Sequence, residues 1–491
     1  MAVAVSASLV AGCATSSRPA VPNAASVTPS RPVSACAGDA TLGLEVAELS
    51  RAARARLDTP ATLDGAVVTA VFDDGPAARA GVRVGDVVVA IGGQGVVNDC
   101  DAIVLGYGQS CEPVTLQVWR GTGDVTLTAA PVSSRPFLQE QCGRGDALAC
   151  FRLGWLAWSR SETPAERAAA VAIYERACGA GVGDACAYLG VALTGADQRD
   201  AQRQAFGRAC ELQSATGCAH LAYYHAGGHG VPRNEALATT LYVKACDLGD
   251  AKGCYNVGLM YAEGRGVERD LARAAQAYDE GCRNGSAMAC TNLGWFVQHG
   301  AAGAVDEAAA VALYRRGCDG TRCEAPNLLG CVNLGRALRD GIGTARDPAW
   351  AASTFERVCD ADPGAAAGEQ AQVGRACALL GGMHLAGSAP DAAAARGRGL
   401  SERACERGDD FGCFNAATAH ATGLGGPVDD ARAYGYYERG CDVGDAESCF
   451  EQARRLEAGR GTTHDAARAR AVMQKACTAG FAQACAVASP R

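Results

Sequence analysis

Cysteine pairs separated by seven residues recur along most of this 491-residue chain and constrain its fold more than any other feature. One such unit is the stretch Cys246-Asp-Leu-Gly-Asp-Ala-Lys-Gly-Cys254. The pairs with this spacing are Cys142 and Cys150, Cys178 and Cys186, Cys210 and Cys218, Cys246 and Cys254, Cys282 and Cys290, Cys405 and Cys413, Cys441 and Cys449, and Cys477 and Cys485. Two looser pairs, Cys318 with Cys331 and Cys359 with Cys377, fill the gap in the series. A fixed period of this kind predicts a repeat architecture.

The residues around each cysteine pair read as two amphipathic helices. First cysteines are mostly 36 residues apart, with one shorter step to Cys210 and two longer steps to Cys359 and Cys405. An aromatic residue four places before the first cysteine lies on the same helical face and is expected in the core. These aromatic residues are Tyr174, Phe206, Tyr242, Tyr278, Tyr314, Phe355 and Tyr437. The expected helix N-caps are Asn234, Asp270, Asp347, Asp430 and Asp465.

Three motifs of the repeat carry a family resemblance. They are a Leu-Gly pair after the second cysteine, as in Leu293-Gly294, a Gly-x-Gly turn, as in Gly264-Arg-Gly266, and an Ala-rich helix that ends at the next cysteine. Because a helical glycine is unfavourable, its repeated placement predicts close helix contact. Over about residues 138 to 488 the pattern resembles Sel1-like repeats, and its cysteine pairs are similar to those of the Helicobacter cysteine-rich secreted proteins.

The Sel1 resemblance implies an all-α α/α solenoid, related to tetratricopeptide arrays, with about ten units over residues 137–488. It also implies that each cysteine pair forms a disulfide between neighbouring hairpins. A bridge across about nine residues stabilises the fold by about 2.5 kcal/mol through chain entropy. Such bridges offset a core that is built largely from alanine, which buries little apolar area.

A region of alternating β-type runs precedes the repeats, for example Gly65–Val71 and Val114–Arg120. With Thr41-Leu-Gly-Leu-Glu45 at its start and Gly75–Gly81 in its middle, the region at 39–133 resembles a circularly permuted PDZ domain of the bacterial HtrA-like type. The chain is therefore expected to be multidomain, with a small β-rich PDZ domain followed by the solenoid.

The PDZ resemblance implies a peptide site. In such domains the backbone of an x-Leu-Gly-hydrophobic loop captures a terminal carboxylate, and the peptide adds as a strand to the sheet edge. The residues implied are Leu42, Gly43, Leu44, Val46, Ile103 and Tyr107, the last two on a helix opposite the loop. A disulfide between Cys100 and Cys111 is expected to restrain that helix. The alternative is a PDZ domain that serves only as a packing module.

The N-terminus resembles a bacterial lipoprotein leader. Residues 1–12 form a short apolar run that reads as a signal peptide, and Val10-Ala-Gly-Cys13 is similar to a lipobox. This resemblance implies lipidation of Cys13 and a flexible tether at 13–38. No Lys or Arg precedes the apolar run, so the true start could lie upstream of Met1, and an ordinary cleaved signal peptide is the alternative. The resemblance implies an outer-membrane lipoprotein that faces the periplasm or the cell surface.

Composition excludes several function classes. A net charge of -8 without a basic cluster argues against nucleic acid as a partner, and 25 cysteines indicate an oxidising compartment. Cys36 and Cys323 are left over, and Cys323 could replace Cys318 as the partner of Cys331. No metal or cofactor is expected, because His220, His225 and His229 do not share one helical face.

The sequence therefore predicts a non-enzymatic envelope lipoprotein that acts as a protein-interaction scaffold. Its PDZ groove would bind peptide C-termini or strands, and the concave face of its solenoid would bind a protein partner. No catalytic serine motif, including Ser-x-x-Lys, is present. The alternatives are a regulator of a periplasmic protease, a peptidoglycan- or β-lactam-related enzyme of the Helicobacter type, and a rigid spacer.

Overall fold

A computed structural model of the chain describes residues 40–49, 51–60, 63–96, 113–121, 123–195, 198–320, 324–362 and 367–488. The described chain forms two compact units, and each is considered by itself. The first comprises the described residues up to Ala304 together with Gly320, Glu324 and Ala325, and the second comprises Val305–Asp319 and the described residues from Pro326 onward.

The first part of the described chain is rich in β-strands. The strands are β1 (Ala40–Thr41), β2 (Leu44–Glu48), β3 (Ala66–Val71), β4 (Val87–Ile91), β5 (Gln94–Gly95), β6 (Val114–Arg120), β7 (Gly123–Ala129) and β8 (Val132–Ser133). Two short helices, α1 (Arg51–Leu57) and α2 (Pro76–Ala80), lie among them. This alternation of β-branched runs with glycine and proline turns is what the sequence predicts for a small β-rich domain.

An antiparallel sheet in the order β2-β3-β4-β6-β7 organises this domain. Strand β5 pairs with β4, and β1 pairs separately with β8. Alternate residues of the strands face opposite sides, so Val68, Val88 and Leu116 pack in one core cluster while Val87 and Trp119 pack in another. Strand β2 ends the sheet on one side and pairs only with β3 among the described residues.

From Ser134 onward the described residues form helical hairpins. The helices are α3 (Ser134–Gly143), α4 (Ala147–Ser159), α5 (Pro164–Gly179), α6 (Gly183–Ala192), α7 (Arg199–Glu211), α8 (Ala215–Gly227), α9 (Glu235–Asp247), α10 (Ala251–Glu263), α11 (Leu271–Arg283), α12 (Ala287–His299), α13 (Glu307–Asp319), α14 (Leu328–Asp340), α15 (Pro348–Cys359), α16 (Ala367–Leu385), α17 (Ala394–Glu406), α18 (Asp410–Thr422), α19 (Asp430–Asp442), α20 (Ala446–Ala458), α21 (Ala466–Thr478) and α22 (Ala482–Ala488). We call the helix that carries the second cysteine of a pair an A helix and the helix that carries the first cysteine a B helix.

Disulfides join the end of each B helix to the next A helix, at its start in all but α16, where Cys377 lies in the middle of the helix. All ten repeat pairs predicted from the sequence are bonded, which confirms the pairing at the regular spacing and at the two longer ones. The bonds with the regular spacing are Cys142 to Cys150, Cys178 to Cys186, Cys210 to Cys218, Cys246 to Cys254, Cys282 to Cys290, Cys405 to Cys413, Cys441 to Cys449 and Cys477 to Cys485. The bonds Cys318 to Cys331 and Cys359 to Cys377 close longer loops. Within each unit the hairpins stack in chain order, which is the arrangement of an α/α solenoid.

Glycines allow the helices of a hairpin to approach closely. A Cβ atom on Gly258 would lie 2.4 Å from Cε1 of Tyr278, and one on Gly335 would lie 2.5 Å from Cε1 of Phe355. In these hairpins the aromatic residue four places before the first cysteine therefore packs where a larger side chain on the A helix would clash. This confirms the predicted close contact at the Leu-Gly pairs.

Asp, Asn or Thr side chains cap many of the helices. The predicted caps Asn234, Asp270, Asp347 and Asp465 accept hydrogen bonds from the backbone three residues on. The prediction for Asp430 is wrong by one residue, because Asp429 is the cap of α19. Asp430 instead accepts hydrogen bonds from arginine side chains of the following repeat.

Candidate functional site

The predicted carboxylate loop, Leu42-Gly43-Leu44, joins β1 to β2. Gly43 has a φ of +69°, which favours glycine, and its N–H donates to Thr41 Oγ1 at 3.1 Å. The Gly43 carbonyl accepts from the Phe72 N–H at 2.9 Å, and the Leu42 carbonyl accepts from the Ala77 N–H at 2.8 Å. The loop is therefore tied to the end of β3 and to α2.

Strand β2 continues directly from this loop. Leu44 and Val46 are half-buried and pack against the same core cluster as Leu42 and Val68. The structure thus brings four of the predicted peptide-site residues together, on one strand and the loop before it. Because β2 ends the described sheet, its outer edge is the place where an added strand could pair.

Helix α3 covers the loop. The ring of Phe137 lies 6.2 Å from that of Phe72, and a Cβ atom on Gly43 would be 3.4 Å from Cε1 of Phe137. Gln141 Nε2 of the same helix donates to the carbonyl of Asp73 at 3.2 Å. The loop therefore lies against the first helix of the repeats, a contact that the sequence reasoning did not anticipate.

A buried ion pair joins β2 to the first A helix. Arg152 of α4 donates to both carboxylate oxygens of Glu45, and the Arg152 side chain is only 13 % exposed. Burial raises the pKa of the Glu45 carboxyl, and the Arg152 guanidinium opposes that shift. Since a buried charge is costly without its partner, this pair holds β2 against α4.

Several predicted residues lie outside the described part of the chain. They are Cys13, Cys36, Cys100, Ile103, Tyr107, Cys111 and Cys323. The lipid anchor, the Cys100–Cys111 bond and the helix opposite the loop therefore remain predictions.

Two histidines of the cluster stack on aromatic rings. His220 stacks on Phe206, with ring centroids 4.5 Å apart, and His229 stacks on Tyr223. Among the described residues no group of three His, Cys, Asp or Glu side chains is arranged to hold a metal ion. None of the helices in the described part is both long and apolar enough to cross a membrane.

A second candidate site lies in the second unit and was missed at the level of sequence. The A helices α14, α16 and α18 form a groove of about 460 Å³, and the Asn415 side chain is part of its lining. The signal that could have revealed it is Ser401, because α17 is the one B helix between α5 and α19 that lacks the aromatic residue four places before its cysteine.

Comparison with protein families agrees with this architecture. A model of the Sel1 repeat matches residues 147–182, 215–250, 251–286, 287–321, 328–351, 374–409, 411–445 and 446–481, more than half of the chain. The chain is a Sel1 repeat protein. A PDZ domain model also matches residues 67–120 of this Sel1 repeat protein, starting after the Leu42-Gly43-Leu44 loop.

Solved structures of other Sel1 repeat proteins are similar to this one. A protective antigen from uropathogenic Escherichia coli is 20 % identical, with a TM-score of 0.59, 72 % of this chain covered and 73 % of that one. A Sel1 repeat protein from Oxalobacter formigenes is 19 % identical, with a TM-score of 0.46 and coverage of 72 % and 88 %. Cysteine rich protein B from Helicobacter pylori is 30 % identical over 26 % of this chain and 96 % of its own, with a TM-score of 0.23. No curated protein matches the chain.

These families bound what the Sel1 repeat protein does. Sel1 repeat and PDZ proteins are generally protein-binding scaffolds rather than enzymes. Ten disulfides are typical of a protein that lies outside the cytoplasm. The similarity to the E. coli antigen shows the shared fold and nothing about a partner.

Proposed function

We propose that this protein is a lipid-anchored scaffold of the bacterial cell envelope that binds extended segments of partner proteins. One segment adds to the outer edge of β2, which pairs with no further strand among the described residues. The surface that the A helices of the repeats form holds a second contact. The observation that carries the proposal is the terminal position of β2, with Leu44 and Val46 on its apolar face. An open strand edge supplies backbone hydrogen bonds, and the side chains beside it supply selectivity.

The geometry at the loop supports strand addition more than capture of a C-terminal carboxylate. The Gly43 N–H already donates to Thr41 Oγ1, and Phe137 lies against the loop. A carboxylate bound there would have to compete with that hydrogen bond and displace the ring. A strand along β2 needs neither change, so internal segments of a partner are the favoured ligands.

Peptide binding tests the PDZ half of this proposal. A panel of fluorescent peptides, each made with a free and with an amidated C-terminus, is titrated into the oxidised protein by fluorescence anisotropy. We expect a subset to bind, with little difference between the two termini. Leu44→Glu, which places a charge beside the strand edge, should abolish binding, because the charge would have to be desolvated.

The matched control is Val84→Glu, since Val84 is 65 % exposed and precedes β4 rather than lining β2. This variant should bind normally, and thermal unfolding should show that both variants are folded. Binding that requires a free carboxylate would contradict strand addition. A panel with no binder, or binders that ignore Leu44→Glu, would overturn the proposed site at β2.

The anchor is tested separately in cells. Labelling with an alkyne-bearing fatty acid should mark the native protein and bring it into the membrane fraction. Cys13→Ser should lose both the label and the membrane association, whereas Cys36→Ser should keep them. A Cys13→Ser protein that still carries the label would contradict lipidation at this residue.

A further inference from the structure

The groove in the second unit has an apolar wall and one unusual polar group. Its lining includes Leu379, Met383, Phe411, Asn415, Leu424 and Arg339. Phe411 and Leu424 are 40 % and 41 % exposed, which is high for large apolar side chains on a folded surface. A volume of about 460 Å³ falls in the range of roughly 300–1,000 Å³ typical of ligand sites.

Asn415 brings an unsatisfied donor to this groove. Its Nδ2 atom is buried and has no hydrogen-bond partner among the described residues. Buried amide donors are nearly always paired, because burial without an acceptor costs free energy. The groove thus contains a donor that an oxygen atom of a ligand would satisfy.

The equivalent asparagine in an earlier repeat, Asn292, shows which neighbouring groups Asn415 lacks. Asn292 also stands two residues after the second cysteine of its pair. Its side chain lies beside the phenol groups of Tyr255 on the preceding A helix and Tyr278 on the preceding B helix. Burial raises the pKa of both phenols, and the contact with Asn292 opposes that rise. In that repeat two phenol groups of the chain itself therefore stand next to the amide.

Both phenols are absent from the repeat before Asn415. Ala378 takes the place of Tyr255, one residue after the cysteine of the A helix. Ser401 takes the place of Tyr278, and its hydroxyl donates instead to the Gly397 carbonyl of its own helix. The asparagine is kept while the two phenol groups that stand beside it in the earlier repeat are lost.

A third replacement makes room in front of the amide. Gly382 takes the place of Leu259, five residues after the cysteine of the A helix. A Cβ atom on Gly382 would lie 3.4 Å from Asn415 Nδ2 and 3.6 Å from Cε1 of Phe411. A leucine there would occupy the space beside the amide and the ring, so the glycine keeps this part of the groove open.

We propose that this groove binds a tyrosine side chain from an extended segment of a partner protein. The phenol oxygen accepts a hydrogen bond from Asn415 Nδ2, and the tyrosine ring packs beside Phe411. A tyrosine supplies the chemistry that Asn292 obtains from its own chain, and its ring matches the apolar wall. This proposal rests on the proposed scaffold function. It assigns a defined ligand to the second contact of that scaffold, which the A helices form.

Two small probes test the phenol contact in the full-length oxidised protein. N-acetyl-tyrosinamide and N-acetyl-phenylalaninamide differ only in the hydroxyl group and are titrated by NMR chemical-shift perturbation. We expect the tyrosine probe to bind about tenfold more tightly, the effect of roughly one hydrogen bond. Asn415→Leu should remove this preference, and Gly382→Leu should abolish binding of both probes by filling the groove.

The matched control is Asn333→Leu, the same substitution at the same position of α14. The preceding B helix keeps its tyrosine there, Tyr314, and Asn333 does not line the groove. This variant should bind both probes as the unaltered protein does. Equal affinity for the two probes, or a tyrosine preference that survives Asn415→Leu, would overturn the proposal.

Peptides then test whether the bound phenol group belongs to a peptide segment or to a free small molecule. A pentapeptide with a central tyrosine should bind more tightly than N-acetyl-tyrosinamide, and both should bind more tightly than p-cresol. If p-cresol binds as tightly as the peptide, the site takes free phenols and the partner-segment proposal is wrong. Failure of the β2 proposal would appear with Leu44→Glu, whereas failure of this one would appear with Gly382→Leu.

Discussion

Arg152 and Asn415 occupy the same place in their repeats, two residues after the second cysteine, yet their surroundings differ. Arg152 is paired with Glu45 of the β-rich domain, whereas Asn415 lines a groove and its buried amide nitrogen has no partner among the described residues. At the first repeat the side chain at this position joins two parts of the chain. At α18 the same position is left to meet a ligand.

Two other repeats fill this position in further ways. Asn292 lies beside the phenol groups of Tyr255 and Tyr278, and His220 stacks on Phe206. The helices of these repeats therefore keep the same arrangement, while the side chain two residues after the second cysteine differs in type and in partner. This comparison predicts that the same kind of substitution will have very different costs along the chain.

The largest effect is expected from Arg152→Ala. The substitution leaves the Glu45 carboxylate buried without its ion pair, which should destabilise the first unit by about 3 kcal/mol. The loss of stability is measured by urea unfolding of the oxidised protein, followed by the fluorescence of Trp119 and the other tryptophans. The control is Arg144→Ala, which removes an exposed ion pair with Glu140 and should change stability by less than about 0.5 kcal/mol.

If Arg152→Ala and Arg144→Ala cost the same, Arg152 does not join the two parts as described. The double variant Arg152→Ala with Glu45→Gln sharpens the test, because it removes the stranded charge. It should recover a large part of the loss, since the penalty comes from an unpaired buried carboxylate rather than from the missing side chain.

A smaller loss is expected from Asn292→Leu. The buried phenol groups of Tyr255 and Tyr278 would lose their polar neighbour, which should cost about 2 kcal/mol in the free energy of unfolding. Adding Tyr255→Phe and Tyr278→Phe should recover part of this loss, since no polar group then remains without a partner. Absence of any recovery would mean that the leucine acts through packing instead.

His220 should make a pH-dependent contribution of about 1 kcal/mol to the free energy of unfolding. Burial lowers its pKa from 6.5 to about 4, with Lys252 adding to the shift. Because the folded-state pKa lies below the unfolded value, the neutral ring stabilises the protein above pH 6.5. That contribution is lost as the pH falls toward 4, and half-burial reduces its size.

The measurement is chemical denaturation at pH 7 and pH 5. The His220→Gln variant should lose less stability between these pH values than the unaltered protein does. The exposed His299 gives the control, and His299→Gln should keep the original pH dependence. If both variants keep it, His220 does not titrate in the way that its burial implies.

Local and periodic features of the fold were predictable from sequence. The bonded cysteines stand mostly eight positions apart, and the aromatic residues stand one helical turn before them, so both follow from spacing. The Arg152–Glu45 contact spans 107 positions and the contact of Phe137 with Gly43 joins two domains. No pattern along the chain reports such contacts, because they depend on how folded parts meet.

The site at Asn415 lies between these two cases. Its asparagine recurs in the sequence, and the missing aromatic residue at Ser401 is visible as a departure from the repeat. The missing aromatic ring leaves space. Whether a neighbouring side chain fills that space or a groove remains depends on the positions of α16 and α18. The sequence could therefore mark the repeat as unusual but could not show that it opens a site.

The smallest effect on stability is expected from Asn415→Leu, which makes this substitution the strictest test of the comparison. In the free protein it removes a buried amide donor that has no partner among the described residues and adds apolar surface beside Phe411 and Met383. Unfolding should change by less than about 0.5 kcal/mol, against about 2 kcal/mol for the same substitution at Asn292. A loss as large as at Asn292 would show that Asn415 is part of the core. A neutral substitution that removes the preference for the tyrosine probe would show that the amide is kept for a ligand, since it then contributes to binding and not to folding.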